Sequence, residues 1–191
     1  MSKVPWIPSP KIVVEYIKHA LGVTRSDVVM DLGCGDGRVL LDFAKAGMPV
    51  VCIEIDRVLC NVTEIVFELY GVKDRLKLIC NDFFRVNFAE IMPRPTIVYA
   101  YLYSSILEML SPKLETELGF GTIIVTLDFP IRGWSPVFAK HLVDENNYDR
   151  VLWIYINGIS NPSARIAKGT TVDINDVINQ CLRSGRRLFL F

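Results

Sequence analysis

Residues 28–38 read Val28-Val29-Met30-Asp31-Leu32-Gly33-Cys34-Gly35-Asp36-Gly37-Arg38, and this stretch decides the fold. It reads as a buried strand, then a turn with glycine at three alternate positions, then the start of a helix. Such a unit brings bare backbone up to a nucleotide-like ligand. Side chains at Gly33, Gly35 and Gly37 would block that approach, and L-residues resist the positive φ that such turns often need. The spacing is G-x-G-x-G. The dinucleotide fingerprint is G-x-G-x-x-G and the phosphate-binding loop is G-x-x-x-x-G-K-[ST]; neither fits, and no Lys-Ser or Lys-Thr follows.

Outward from this stretch the chain alternates helix and strand. Val4-Pro5-Trp6-Ile7-Pro8-Ser9-Pro10 excludes regular helix and central strand, because its prolines lack donors and fix φ. Ser9-Pro10 then predicts an N-cap and first helical residue, followed by Ile12, Val13, Tyr16, Ile17, Ala20 and Leu21 at helical spacing and a stop at Gly22. After the glycine turn, Val39, Leu40, Phe43 and Ala44 mark a helix ending at Gly47, and Pro49 to Ile55 is an apolar run expected of a buried parallel strand. Val58, Leu59, Val62, Ile65, Val66 and Leu69 repeat at i, i+3/i+4 and predict the next helix, which Gly71 ends.

Further strands are expected at Leu76 to Cys80, Thr96 to Leu102 and Thr122 to Leu127. Between the last two, Ser105 and Glu108 predict a capping box, and Pro112 predicts a break or kink. Lys140 to Val143 and Val151 to Ile156, joined through Asn146-Asn147, predict a hairpin that reverses one strand. The expectation is an α/β fold: a Rossmann-like seven-stranded sheet with helices on both faces and the last strand antiparallel. Ligands of such sheets sit beyond the carboxyl ends of the strands. Residues 1–157 are expected to form this domain. Residues 158–191 read as a C-terminal extension, with Asp173 capping a helix that carries Ile174, Val177, Ile178, Cys181 and Leu182, packed on the domain or at a dimer contact. A monomer or weak homodimer is expected.

Composition narrows the class. Of 191 residues 51% are hydrophobic, which argues for a globule, and Lys+Arg and Asp+Glu are both 21, so no global charge draws the chain to nucleic acid. Cysteines at 34, 52, 60, 80 and 181 show no C-x-x-C, which suggests reduced thiols in the cytoplasm; His19 and His141 are too few for a histidine-rich metal site. No apolar run reaches the roughly 18 residues of a membrane span, and no signal-peptide pattern opens the sequence.

With an acid opening it, the G-x-G-x-G turn resembles motif I of the class I S-adenosyl-L-methionine (SAM) methyltransferases, whose sheet the seven-strand expectation matches. The resemblance implies that Asp31 helps fix the amino-acid end of the cofactor and that Gly33, Gly35 and Gly37 let the backbone close on it. Glu54 stands 23 residues after Asp31 at a strand end, where ribose hydroxyls require an acid. Asp56 competes for that role, but Glu54 fits the family position better. Asp82 matches the acid that accepts from the adenine amino group, and Phe83 can support the ring.

The reacting end falls on Thr96-Ile97-Val98-Tyr99-Ala100-Tyr101-Leu102-Tyr103. The Asn/Asp-Pro-Pro-Tyr sequence of exocyclic-amine methyltransferases is absent, which argues against a DNA adenine or glutamine-amide substrate. Alignment puts Tyr101 at the position of the motif's Asn/Asp. A period of two puts Tyr99, Tyr101 and Tyr103 on one face, either as core or as an aromatic wall. Such a wall suits an amine acceptor: it excludes water and holds an alkyl ammonium stem. Asp128 can orient the amine, accept its proton, or be a solvated loop acid. Trp134 reads equally as wall, lid or core.

Taken together, residues 4–10, 27–38 and 99–102, with Asp128-Phe129 and Gly133-Trp134, look like the small archaeal protein-lysine methyltransferases. Those are similar to mitochondrial lysine methyltransferases and distantly to the non-SET histone H3 lysine methyltransferases. The resemblance implies methyl transfer from SAM to several exposed protein lysines, with Pro8, Ser9 and Pro10 lining the cofactor or substrate mouth and no obligate nucleic acid. The chain departs from the pattern at Trp6 and from Gly158 onward. An RNA or small-molecule methyltransferase and a non-catalytic SAM-binding module are the competing readings.

Overall fold

The structure is a computed structural model and describes residues 7–163. Seven strands form one sheet in the order β3-β2-β1-β4-β5-β7-β6: β1 Val29–Leu32, β2 Val50–Glu54, β3 Leu76–Cys80, β4 Ile97–Ala100, β5 Ile123–Leu127, β6 Phe138–Val143 and β7 Asp149–Ile156. The first five are mutually parallel, while β7 runs against both β5 and β6. The last strand is thus the reversed one, as the polar Asn146-Asn147 turn predicts. β1, β2, β4 and β5 are buried along their whole length, which explains why they read as unbroken apolar runs.

Four helices flank the sheet: α1 Lys11–Ala20, α2 Arg38–Lys45, α3 Arg57–Leu69 and α4 Ser104–Glu117. Val13, Val14 and Ile17 of α1, Val39, Leu40 and Phe43 of α2 and Phe67 of α3 share one core with Val29, Val50, Ile97, Tyr99 and Val125. Leu107, Leu110 and Leu114 of α4 form the opposite core with Met30, Leu32, Ile53 and Val98, and Phe88 closes its far end. Both faces of the sheet are therefore covered.

Several local expectations change. Pro10, not Ser9, stands at the N-cap of α1, and no side chain caps that helix; Ser9 is drawn away to Tyr99. Ser105 forms no capping box, because α4 begins at Ser104 and Ser105 already lies in its first turn. Pro112 sits inside α4 without ending it. The carbonyl of Glu108, which loses its N–H partner there, accepts instead from Ser111 Oγ at 3.0 Å. On α3 the buried residues are Cys60, Thr63 and Phe67, whereas Val58, Ile65 and Leu69 are 69%, 65% and 79% exposed. Of the apolar stripe, Leu59 and Val66 are half-buried and the rest lies exposed.

The expectation of reduced thiols also fails for four cysteines. Cys34 is paired with Cys52 and Cys60 with Cys80, with Cα atoms 5.5 Å and 6.1 Å apart. Adjacent elements bring each pair together across 18 and 20 residues of sequence, a separation that no C-x-x-C search detects. No helix among the described residues is long and apolar enough to cross a membrane. Asn161 Nδ2 donates to Glu115 Oε1 at 2.6 Å and Ser135 N to the Ser160 carbonyl at 2.9 Å, so residues 158–163 return along α4. The helix expected from Asp173 and the cysteine at 181 lie outside the described residues.

Candidate active site

Two clusters meet at the carboxyl ends of the parallel strands. The first is built on the glycine turn. Gly33 N and Cys34 N both donate to the Ile53 carbonyl, at 2.8 and 3.3 Å, which hooks the turn over β2. Gly33, Gly35 and Gly37 have φ of 80°, 59° and 74°, the left-handed region that glycine enters without a Cβ penalty. Their reasons for being glycine differ. A Cβ on Gly33 would meet only Leu102 Cδ2, at an ordinary 3.5 Å. A Cβ on Gly37 would lie 2.7 Å from Thr63 Cγ2 and 3.0 Å from Phe67 Cε2. The space at Gly37 is thus filled by α3 rather than kept open for a ligand.

Glu54 is buried at the end of β2, and its carboxylate collects three backbone donors. Oε2 accepts from Gly35 N, and Oε1 accepts from Ile55 N and Asp56 N, each at 2.9 Å. Asp56 itself caps α3 through Val58 N at 2.8 Å, which separates the two acids that compete in the sequence. Thr63 of α3 ties the other side of the turn by donating to the Gly35 carbonyl at 2.9 Å. Asp31, on β1 between Cys52 and Tyr99, is 3% exposed, and its carboxylate accepts no hydrogen bond from any described residue. Burial, and then the nearby Glu54 and Asp36 carboxylates, hold its carboxyl well above the usual range. Asp36 is itself neutralised by Arg38 at 2.7 Å. Asp82 follows β3 and accepts from Phe84 N at 2.9 Å, and the Phe83 and Phe84 rings lie 4.8 Å apart. Asp31 near the end of β1, Glu54 at the end of β2 and Asp82 just after β3 therefore lie along the carboxyl edge of three neighbouring strands.

The second cluster gathers at the ends of β4 and β5. Tyr99 is 1% exposed, packs in the core, and shares a 2.8 Å hydrogen bond between its hydroxyl and Ser9 Oγ. Burial pushes its phenol well above the ordinary value. Pro8, its neighbour in sequence, is exposed. Tyr101 lies just past the strand, half-buried against the same core. Tyr103 does not continue that face. β4 stops at Ala100, and the Tyr103 ring is instead tilted 5.6 Å from Phe129, which packs on the opposite core. Trp134 is core, edge-on to Tyr155 at 6.0 Å, and is not a lid.

Asp128 adopts φ 63°, and the structure supplies what the sequence reading missed: Arg150. Its Nη1 donates to Tyr101 Oη at 3.1 Å and to Asp128 Oδ2 at 2.8 Å, and its Nε donates to Asp144 Oδ2 at 2.8 Å. Burial, followed by the Asp128 charge, raises the Tyr101 phenol, which the Arg150 guanidinium partly offsets. The signal that could have found Arg150 is an arginine opening the one reversed strand, since that reversal lands it at the ligand edge. No comparable local signal marks Thr63.

Residues 31–138 match the ANTKMT methyltransferase domain. The chain belongs to that family. Over 162 residues it is 35% identical to a protein-lysine N-methyltransferase of Saccharolobus islandicus (strain REY15A), covering 81% of this chain and 94% of the relative. The adenine nucleotide translocase lysine N-methyltransferase of Mus musculus is 29% identical over 154 residues, 80% of this chain and 63% of that one. Among solved structures, an RNA methyltransferase from Salinibacter ruber in complex with S-adenosyl-L-homocysteine superposes with a TM-score of 0.67 at 30% identity. That likeness covers 78% of this chain and 93% of the other. This ANTKMT-family chain thus has the class I methyltransferase sheet.

Proposed function

We propose that the protein transfers the methyl group of SAM to the ε-amines of protein lysines, on several exposed lysines rather than one. The observation that carries the reading is Asp31: a buried carboxyl with no donor among the described residues, beside a second buried acid, at the mouth of a glycine turn. A cationic ligand relieves that arrangement, and the ammonium and sulfonium of SAM supply the cations.

The residues present fit this cofactor. Asp31 would take its ammonium, Gly33 and Gly35 would leave room for its amino-acid tail, Glu54 would meet the ribose diol, and Asp82 with Phe83 would hold the adenine. Pro8 and Ser9 would border the mouth, with Ser9 fixed by Tyr99. When bound, the cofactor supplies an electrophilic methyl group on sulfur. The lysine amine must arrive unprotonated, although its ordinary pKa is about 10.4, and the half-buried Tyr101 mouth disfavours the charged form. The amine nitrogen bonds to the methyl carbon as the carbon–sulfur bond breaks and its electron pair stays on sulfur. Tyr101 and Tyr99 border the approach and exclude water. Asp128 is occupied by Arg150 and by Val151 N at 3.3 Å, so the amine's proton leaves to water.

The archaeal relative supports the lysine reading through its coverage of most of both chains. The Salinibacter ruber protein favours an RNA acceptor as a second reading. Against it stands the balance of 21 basic and 21 acidic residues, where an RNA surface calls for a basic excess. The deciding experiment offers labelled SAM with mixed proteins and with RNA, and maps the products by mass spectrometry. Label on lysines supports the proposal, and label in RNA alone overturns it.

A further inference from the structure

Because β7 is antiparallel to β5, its first residues arrive where β4 and β5 end, and Arg150 reaches both. The guanidinium is held from behind. The Asp144 side chain is fully buried; its Oδ2 accepts from Arg150 Nε, while its Oδ1 accepts from Asn146 N at 2.8 Å and Tyr148 N at 2.9 Å. The β6–β7 turn thus orients the fork, and the fork reaches forward to Tyr101 and Asp128.

We propose that Arg150 is a positioning residue of the methyl-acceptor site: it fixes the Tyr101 oxygen at the mouth and, by pairing with Asp128, withholds that carboxylate from the incoming ammonium. The proposal rests on the lysine reading above. A free carboxylate at the mouth would bind the acceptor in its protonated form and keep it protonated, whereas only the neutral amine has the electron pair that attacks carbon. Pairing with the guanidinium cancels that anion and removes the bias. Lysine could not replace arginine, because one ammonium on a flexible stem cannot orient three oxygens as the planar fork does.

The charged and titratable groups around this point come from every neighbouring element. Tyr99 and Tyr101 come from the β4 end, Asp128 follows β5, Asp144 and Tyr148 lie in the β6–β7 turn, and Asp31 of β1 bears on Tyr99. Of these, Asp128 is the acid at the mouth that Arg150 pairs and so withholds from an incoming ammonium.

The test follows kcat against pH, from about 6 to about 10, with labelled SAM and a protein acceptor, since kcat reports groups in the bound complex. Arg150→Met should move the rising limb up by about one pH unit and lower kcat about tenfold at neutral pH. Arg150→Met with Asp128→Asn should bring the limb back. Arg150→Lys should leave the limb in place but lower kcat about tenfold at similar KM, through loss of the Tyr101 contact. An Arg150→Met protein that unfolds normally, binds SAM normally and keeps the wild-type limb overturns the proposal. Should that variant fail to fold, a wild-type kcat in Arg150→Lys overturns it. Wild-type protein that binds SAM yet labels no lysine overturns the lysine reading instead.

Discussion

Gly37→Ala tests whether the third glycine of the turn serves packing. The residue has φ 74°, where an L-residue costs about 1–2 kcal/mol. Its Cβ would lie 2.7 Å from Thr63 Cγ2 inside a filled core, an overpacking that typically costs about 1–3 kcal/mol. The sum, about 2–5 kcal/mol, corresponds to a fall in Tm of about 4–20 °C for a domain of this size. Thr63→Ser removes the methyl in the way but keeps the hydroxyl that reaches the Gly35 carbonyl; alone it costs about 1 kcal/mol for the lost buried methyl. In the double variant the 2.7 Å clash is gone while the closeness to Phe67 Cε2 and the φ part remain, so the two substitutions must not add. Denaturant unfolding of wild type, both single variants and the double variant measures this coupling. Additive effects, or a Gly37→Ala protein that melts within about 2 °C of wild type, would refute the packing argument.

Asp31→Asn should bind SAM far more weakly by calorimetry while stabilising the free protein at neutral pH. The raised carboxyl favours folding below its unfolded-state pKa, and that advantage is lost as pH rises toward its folded-state value; Asn has no such slope, so the difference in Tm should grow across the acidic range. Glu54→Gln turns an amide NH₂ against backbone donors that now share a carboxylate, so stability should drop by about 1–3 kcal/mol, with weaker cofactor binding in the same preparation. Tyr101→Phe should lower kcat because Arg150 loses its acceptor, whereas Tyr103→Phe, exposed beside Phe129, should leave turnover near wild type. Equal effects in those two variants would refute the placement of the mouth.

The strands were legible because alternation of apolar runs with helical repeats is a local signal; Leu76 to Cys80 matches to the residue, the ends at Leu127, Val143 and Ile156 coincide, and the rest move by one or two positions. The acids at the strand ends were legible for the same reason. What the sequence hid is set by distance. Ser9 offers a local cap, but the hydroxyl of Tyr99, 90 residues on, wins it. The stripe Val58, Ile65, Leu69 has core periodicity, yet Thr63 and Phe67 must meet Gly37, and that contact fixes the rotation of α3. Periodicity finds an apolar face without saying which way it points. Arg150 stayed hidden because the hairpin signals a reversal without naming the neighbour of β7, and only its pairing with β5 brings Arg150 to Tyr101 and Asp128.

The reversal of β7 also makes the mouth depend on distant parts of the chain. Asp31, Glu54 and Asp82 are complete once the first three strands exist, but the mouth joins Ser9 at one end of the chain to Arg150 near the other, and Lys11 N to Glu145 across 134 residues. The proposed acceptor mouth is therefore complete only when both distant parts of the chain are in place, whereas the three acids come from the first three strands alone. Until the final hairpin folds into place beside β5, a half-made molecule has no finished aperture through which to modify its neighbours.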